Sequence, residues 1–517
     1  MSFVILSSIA VVVNLSVSLL GVLSVSLTNF TEKLITDPFL IFFAHAFVVL
    51  LLLRIFFEPL KNVLLGYRID ENYDDNPGFQ FQVEMRKANL AIGSKVLTFF
   101  VIAVPIGYLI YIGIQDTMMQ GHVMQWLNLL VRWFHIIVGI MWIGASFYFV
   151  FLENNLNRTK GVRDELAGNL WAIHGGGFYY LEKYKVAPEK IPEDLHWFKY
   201  EAYLTWISGF LLLWIVYYMN PAGFLIDPSV ADISVATAIL IGVGTLIVGW
   251  LVYDFMCKSK LIEYPYLFVL TGIILLTALS IFLTSIFSSR AAFIHVGGVI
   301  GTIMVANVFF IIIPSQKSVV RAALSGENPD VRLGKKALQR SMHNNYFTLP
   351  VIFTMIAHHF PGTIGHEHNW LVLMGIIIAS AGIKHYWNLI ERGFEAKYIL
   401  PLSIAAMFLV FVMTSPLADR PDEEIDLTEP VSFSEVETII QTHCVQCHSE
   451  NPSDEVWTDA PGNVKLDTPE QIQTNADEIM RTTVRSNFMP LANQTNMTDE
   501  EREKLHRWIT QGAEIGE

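Results

Sequence analysis

Runs of apolar residues dominate the first 415 positions of the chain. A helix needs roughly 20 such residues to cross a hydrocarbon core of about 30 Å. Eleven runs approach or exceed this length, at residues 3–27, 37–59, 94–115, 129–152, 201–219, 231–253, 265–288, 290–313, 344–361, 369–390 and 397–415. The pattern therefore predicts an all-α fold, a polytopic transmembrane helix bundle of about 11 spans.

The lysines and arginines of the connecting loops predict which way the spans point. Five alternate loops (60–95, 152–200, 254–264, 314–343 and 391–397) hold 22 of them, whereas the opposite loops hold only Lys33 and Arg290. Because cytoplasmic loops carry the excess of basic residues, the N-terminus is expected in the cytoplasm. The chain after the last span is then expected on the outer side.

Residues 416–517 have a different composition from the rest of the chain. They hold 22 acidic and 7 basic side chains, whereas the whole chain is 53% hydrophobic and only 16% charged. A lipid bilayer is thus the expected surrounding of the first part and water that of the second. Residues 416–431, rich in proline and acid, are interpreted as a linker, and 432–517 as a separate domain. This acidic domain gives no reason to expect nucleic acid as a partner.

A CxxCH motif lies in the C-terminal domain, at Cys444, Cys447 and His448. This motif attaches one covalent c-type haem: two thiols form thioethers, and the histidine binds the iron. A thioredoxin-like redox pair would need a βαβ context, and half of a zinc site would need a second pair of ligands. The sequence around the motif predicts neither. Met489 is the expected second metal ligand, so that His448 and Met489 hold the iron.

The surroundings of the motif predict a class-I-like c-type cytochrome domain. Residues 432–443 can form a helix that leads into the motif, and Thr498 to Glu501 is a capping box that opens a last helix. His443 and His506 are expected at the surface. Since haem c is attached outside the cytoplasmic membrane, the domain is predicted to be periplasmic.

Histidines inside the predicted spans form a second group of candidates. His45, His135, His295 and the pair His358/His359 each fall near the outer end of a span. Buried ionisable side chains are expensive in a membrane, and imidazoles from facing helices can hold a b-type haem or another metal. We expect His135, His295 and His359 as ligands, with His45 as an addition. The alternative is that each histidine only bonds to a neighbouring backbone.

A third group of polar residues faces the cytoplasm in this topology. A small polar heterocycle would need such donors and acceptors, and the candidate catalytic residues are His174, His343, Asn344, Asn345, Lys384 and His385. The alternative is that the glycines after His174 form a turn and that the asparagine pair caps a helix.

Several separated motifs together resemble the membrane-bound, cytochrome-c-linked urate hydroxylases of bacterial purine catabolism. They are RWFHIIVGIMWIGASF at 132–147, HGGGFY at 174–179, AFIHVG at 292–297 and HNNYFTLP at 343–350. The resemblance makes residues 121–415 a urate-hydroxylase-like transmembrane domain. Residues 1–120 add N-terminal transmembrane helices that the family core does not explain.

The resemblance implies that urate is oxidised to 5-hydroxyisourate, with water as the oxygen source. Two electrons would pass to the fused cytochrome and then to an acceptor such as a soluble cytochrome c or a terminal oxidase. The expected location is the bacterial inner membrane. Two alternatives stay open: a respiratory oxidoreductase acting on a quinol or another small molecule, and an electron-transfer cytochrome on a membrane anchor with no substrate of its own.

Overall fold

The computed structural model describes residues 118–159, 161–192, 195–415, 429–454, 459–486 and 488–516. The predicted spans at 3–27, 37–59 and 94–115 lie outside the described residues, as do His45 and residues 416–428 of the linker.

Eight long helices occupy the positions of the eight remaining predicted spans. They are α1 (Met118–Asn154), α2 (Tyr200–Leu213), α3 (Val235–Lys258), α4 (Pro265–Thr284), α5 (Ser289–Ala306), α6 (Val331–Ile356), α7 (Asn369–Glu391) and α8 (Ile399–Met413). Six helical stretches of the described chain, those of α1 to α5 and α7, are long and apolar enough to cross a membrane. Helix α8 is apolar but shorter. The count of 11 spans stays a prediction.

Two helices continue through wider π-helical turns. Helix α2 runs into the turn Trp214–Tyr218, and α5 runs through Asn307–Ile312 into the helix Ile313–Leu324. Such turns are rare in proteins, and those that occur are often found at functional sites. Short helical segments lie at Pro221–Phe224, Lys260–Glu263, Ala357–His359, Pro361–Ile364, Pro461–Asn463, Pro469–Thr474, Ala476–Ile479, Met480–Val484 and Leu491–Asn493.

Helix α5 lies at the centre of the bundle, where most of its residues are buried. Small residues allow neighbouring helices to approach it closely. A Cβ atom on Gly249 of α3 or on Gly297 of α5 would overlap Val299 or Thr354, respectively. The main hydrophobic core therefore forms around α5, between α3, α4 and α6.

The all-α prediction needs one correction, because residues 166–184 form an antiparallel β-hairpin. Its strands are β1 (Leu166–His174) and β2 (Gly177–Tyr184), with Trp171 paired to Tyr180. The turn between them contains Gly175 and Gly176, both with positive φ. Glycine adopts this conformation readily, and two-residue hairpin turns require it. The alternative in which the glycines after His174 form a turn is thus confirmed.

The helix that contains the ninth predicted span begins well before residue 344. Helix α6 begins at Val331, where the side chain of Asp330 caps it, and ends at Ile356. Its first half carries basic residues, including Arg340, and was therefore assigned to a loop. Asn344 and Asn345 lie inside this helix, so they do not cap a helix start.

The C-terminal residues fold into a small helical unit with its own core. Helices α9 (Phe433–His443) and α10 (Asp499–Thr510) both begin with a capping box, the predicted one at Thr498 and a second one at Ser432. Their core includes Val436, Ile440, Ile472, Leu505 and Trp508. The prediction of a surface His443 is wrong: its imidazole is buried and bonds to Thr495 at 2.7 Å and to Glu501 at 3.1 Å. It thereby ties α9 to the start of α10.

Candidate active site

Six linked polar side chains lie between α3, the end of α5 and α6. We call them the arginine network: Tyr253, Asp254, Asn307, Arg340, His343 and Asn344. Sequence analysis found His343 and Asn344 but missed the other four, because Asp254 and Arg340 fell in predicted loops. Their opposite charges at the ends of two spans were the available signal.

Arg340 is the buried centre of this network, with a side chain only 1% exposed. Its guanidinium donates to Asp254 at 2.8 Å and to Asn307 at 3.2 Å, and it lies over the ring of Tyr253. Lys258 also pairs with Asp254. Two cations therefore share one carboxylate, which leaves one positive charge in the site.

His343 is held by one ring nitrogen only. Its Nδ1 lies 2.7 Å from the hydroxyl of Tyr253, which also accepts a hydrogen bond from Asn307 at 3.1 Å. Its ring stacks on Phe268, with 5.2 Å between centroids. Among the described residues, Nε2 of His343 has no hydrogen-bond partner. The Tyr253 contact fixes the ring, and Nε2 is free to bind or to exchange a proton.

The two neighbouring asparagines have different environments. Asn344 is fully engaged: it donates to the carbonyl of Met304 at 2.9 Å and accepts from Asn307 at 2.8 Å. Asn345 donates to Asn388 of α7 at 3.1 Å, and both side chains are buried. In the described part of the chain, the remaining oxygen of Asn345 and the amide nitrogen of Asn388 have no partner. The pair therefore leaves one acceptor and one donor unsatisfied inside the bundle.

The other three predicted catalytic residues lie apart from the network. His174 is exposed at the end of β1, beside the hairpin turn, and makes no hydrogen bond to His343 or Asn345. His385 bonds to the hydroxyl of Tyr346 at 2.7 Å, and the ammonium of Lys384 lies 3.9 Å from the ring centroid of Phe147. The structure therefore brings together His343 and Asn344, but not the whole predicted set.

Replacing Arg340 by glutamine should strongly destabilise the protein. The change leaves the carboxylate of Asp254 without its buried partner, and breaking such a pair costs roughly 3–5 kcal/mol. Thermal and denaturant unfolding in detergent would measure the loss. The control is Arg332→Gln, whose pair with Asp330 is solvent-exposed. Equal unfolding midpoints for Arg340→Gln and the parent protein would contradict the structural role of the network.

The predicted histidine layer does not form a single cluster in the described chain. His135 donates from Nδ1 to Ser208 and to the carbonyl of Thr205, at 2.9 and 3.1 Å. Both ring nitrogens of buried His295 are occupied: Nδ1 bonds to the carbonyl of Ala291 at 2.7 Å and Nε2 to the hydroxyl of Tyr218 at 2.9 Å. His295 has no free nitrogen for a metal in this arrangement.

The rings of His358 and His359 lie against each other just after α6, with 3.9 Å between centroids and 42° between their planes. His359 is exposed, whereas Nδ1 of His358 is buried without a partner. No group of three His, Cys, Asp or Glu side chains within the described ranges is arranged to hold a metal ion. A b-type haem or other metal in the bundle stays a prediction.

The arginine network and the pair of Tyr218 with His295 lie toward opposite ends of the same helices. Asn307 follows His295 by twelve positions, which is about 18 Å along a helix axis. Phe488 of the C-terminal unit lies against Arg290, at the His295 end of α5. The arginine network is thus at the end of the bundle away from the C-terminal unit.

The CxxCH residues form one tight turn after α9. The backbone nitrogens of Cys447 and His448 donate to the carbonyl of Cys444 at 3.1 and 2.8 Å. Nδ1 of His448 donates to the carbonyl of Val464 at 3.0 Å. This bond keeps the proton on Nδ1 and leaves Nε2 available as a ligand. Metal-binding histidines commonly donate a hydrogen bond from the ring nitrogen that does not bind the metal.

The two thiols and Met489 are also available for bonding. Both cysteines are free, and burial raises the pKa of the Cys444 thiol to about 12 and that of Cys447 to about 11. Met489 is half-buried, and its backbone is held by Thr482 and Arg502, each at 2.9 Å. The donor set of two thiols, one imidazole nitrogen and one thioether matches what a c-type haem requires.

Comparison with known proteins gives one match. The family model described as urate oxidase N-terminal matches residues 121–415, which is more than half of the chain. No curated protein and no solved structure matches. The matched range starts in α1, ends just after α8 and contains the arginine network. The chain therefore belongs to the urate oxidase N-terminal family.

Proposed function

We propose that the protein is a membrane-bound urate hydroxylase that passes electrons to its own c-type haem. The carrying observation is that a urate oxidase family domain is fused to a CxxCH unit in which His448 has the hydrogen bond of an iron ligand. In the proposed reaction, urate and water give 5-hydroxyisourate, two protons and two electrons. When bound, the haem would accept these electrons one at a time.

Each residue of the haem unit has a distinct part in this proposal. Cys444 and Cys447 would hold the haem through thioethers, and His448 and Met489 would bind its iron. The Val464 carbonyl keeps Nε2 of His448 available. Arg502 fixes the backbone of Met489 by donating to its carbonyl, so that the thioether is presented by a held loop.

The arginine network is the proposed substrate site. Its one excess positive charge, from Arg340 and Lys258 against Asp254, favours an anionic heterocycle such as urate. His343 would act as a general base: Nδ1–H donates to the Tyr253 hydroxyl while Nε2 takes a proton from water. An imidazole suits this role because one ring nitrogen can donate a hydrogen bond while the other accepts a proton.

The proposed topology separates the two halves of the reaction. The basic loops favour a cytoplasmic position for the network end of α3, α5 and α6, and purine breakdown produces urate in the cytoplasm. The C-terminal unit lies at the other end, which this topology makes periplasmic. Substrate would enter from the cytoplasm, and electrons would leave toward a periplasmic acceptor in the inner membrane.

Anaerobic addition of urate to the purified protein is the direct test. We expect reduction of the haem c band and formation of 5-hydroxyisourate that carries oxygen from isotopically labelled water. Xanthine, which lacks the 8-oxo group, is the matched control and should leave the haem oxidised. Reduction by a quinol but not by urate would contradict the proposal and favour a respiratory quinol oxidoreductase.

A further inference from the structure

A small cleft lies between the helix bundle and the C-terminal unit. The bundle contributes Phe224, Asp227 and Arg290, and the C-terminal unit contributes Phe488, Leu491 and Ala492. Phe488 directly precedes Met489, the proposed iron ligand, and packs against the main core of the bundle. The cleft therefore borders the loop that would carry the haem ligand.

Arg290 lies in this cleft without an anionic partner. Its guanidinium lies over the rings of Phe224 and Phe488, at 5.5 and 5.2 Å from their centroids. Its Nε is buried and unbonded, and Arg290 makes no hydrogen bond or ion pair with any described residue. By contrast, Arg340 has both a carboxylate and an amide oxygen. Cation–π contacts offset only part of the cost of removing a guanidinium from water.

The nearby charges also favour an incoming anion. Arg290 is in the first turn of α5, whose N-terminus is capped by Ser288 and carries a partial positive charge. Asp227 is the carboxylate that lines the cleft, but its Oδ1 already accepts from the backbone and hydroxyl of Ser229 at 2.9 and 2.5 Å. It forms no ion pair with Arg290 within 4 Å. A planar guanidinium with this surplus of donors matches a carboxylate.

We propose that Arg290 binds a carboxylate across this cleft and that this carboxylate is a propionate of the c-type haem. The inference rests on the proposed function, because the haem brings the carboxylate. Arg290, a residue of the urate oxidase domain, would then be a positioning residue for the cofactor of the C-terminal unit. A free anion is the other source of the same chemistry.

The test is the reduction potential of the haem in the full-length protein, measured by dye-mediated titration. In Arg290→Gln, loss of a nearby positive charge should favour the oxidised form by about threefold, which is roughly 30 mV for a one-electron couple. Arg290→Lys keeps the charge and should retain most of the parent potential. The control Lys504→Gln removes a charge that pairs with Glu435 and Glu500 elsewhere in the C-terminal unit, and should leave the potential unchanged.

Titration with inorganic phosphate distinguishes the two sources. A propionate partner predicts that phosphate leaves the potentials of the parent and Arg290→Gln unchanged. A phosphate-dependent potential in the parent alone would assign the site to a free anion and overturn the propionate. Equal potentials in the parent and Arg290→Gln would overturn the inference while urate oxidation still held. A parent protein without covalent haem would overturn both the proposed function and the role of Arg290. If the haem is attached but urate does not reduce it, only the proposed function fails, and the potentials still test the role of Arg290.

Discussion

Serine at both Cys444 and Cys447 should leave the protein without covalent haem. Each thiol supplies one thioether bond, and serine cannot form it. The two cysteines share one turn, and the described chain has only one other cysteine, Cys257 in α3. Haem staining of the denatured protein measures the loss, which should be complete. Urate-driven reduction of a haem c band should disappear with it.

The control for this double variant is Cys257→Ser. Cys257 is half-buried next to the arginine network, far along the chain from the CxxCH motif. Its replacement should leave the covalent haem content at the parent level. Haem that stays attached in the Cys444→Ser/Cys447→Ser protein would contradict the assignment of the motif.

Alanine in place of His343 should slow urate-driven haem reduction by about 10²–10⁴-fold, the usual contribution of a positioned general base. The change removes the only imidazole in the arginine network and with it the free Nε2. Haem content and the haem reduction potential should stay at the parent values, because His343 lies at the far end of the bundle. Stopped-flow reduction with urate provides the rate.

His174→Ala is the matched control for this prediction. His174 is exposed beside the hairpin turn and has no bond to the network, so its loss should leave the rate near that of the parent. Equal rates for His343→Ala and the parent would exclude the network as the site of the base. A large loss in His174→Ala alone would instead assign the chemistry to the hairpin.

The helices could be predicted because length and hydropathy determine them locally. All eight predicted spans within the described residues correspond to helices, and the predicted capping box at Thr498 is present. Two helices begin well before their predicted spans, α1 by eleven residues and α6 by thirteen, and the early part of α6 includes Arg340, which is charged but buried. A hydropathy scan treats a charge as exposed. Hydropathy alone therefore cannot predict that a carboxylate from another helix allows the charge to be buried.

The site was only half predictable for the same reason. His343 and Asn344 are conspicuous as polar residues in an apolar run, whereas Asp254 and Arg340 matter only because α3 and α6 bring them within 2.8 Å. His295 also depends on a distant partner. Its position in a span predicts a metal ligand, which stays a prediction, and the bond of its Nε2 to Tyr218, seventy-seven positions away, is not visible in the sequence. Such pairings form only in the folded structure, so the sequence alone does not reveal them.

The wide turn Asn307–Ile312 has a consequence for the geometry of α5. A π-helical turn holds one more residue than an α-helical turn, so the helix beyond it is rotated by about 100° relative to an uninterrupted helix. Residues before and after Asn307 therefore follow different angular registers. One helix can thus present an apolar stripe to its neighbours along its first half and still direct Asn307 toward both Tyr253 and Asn344. The one extra residue in the π-helical turn therefore changes which face of the helix every later residue occupies.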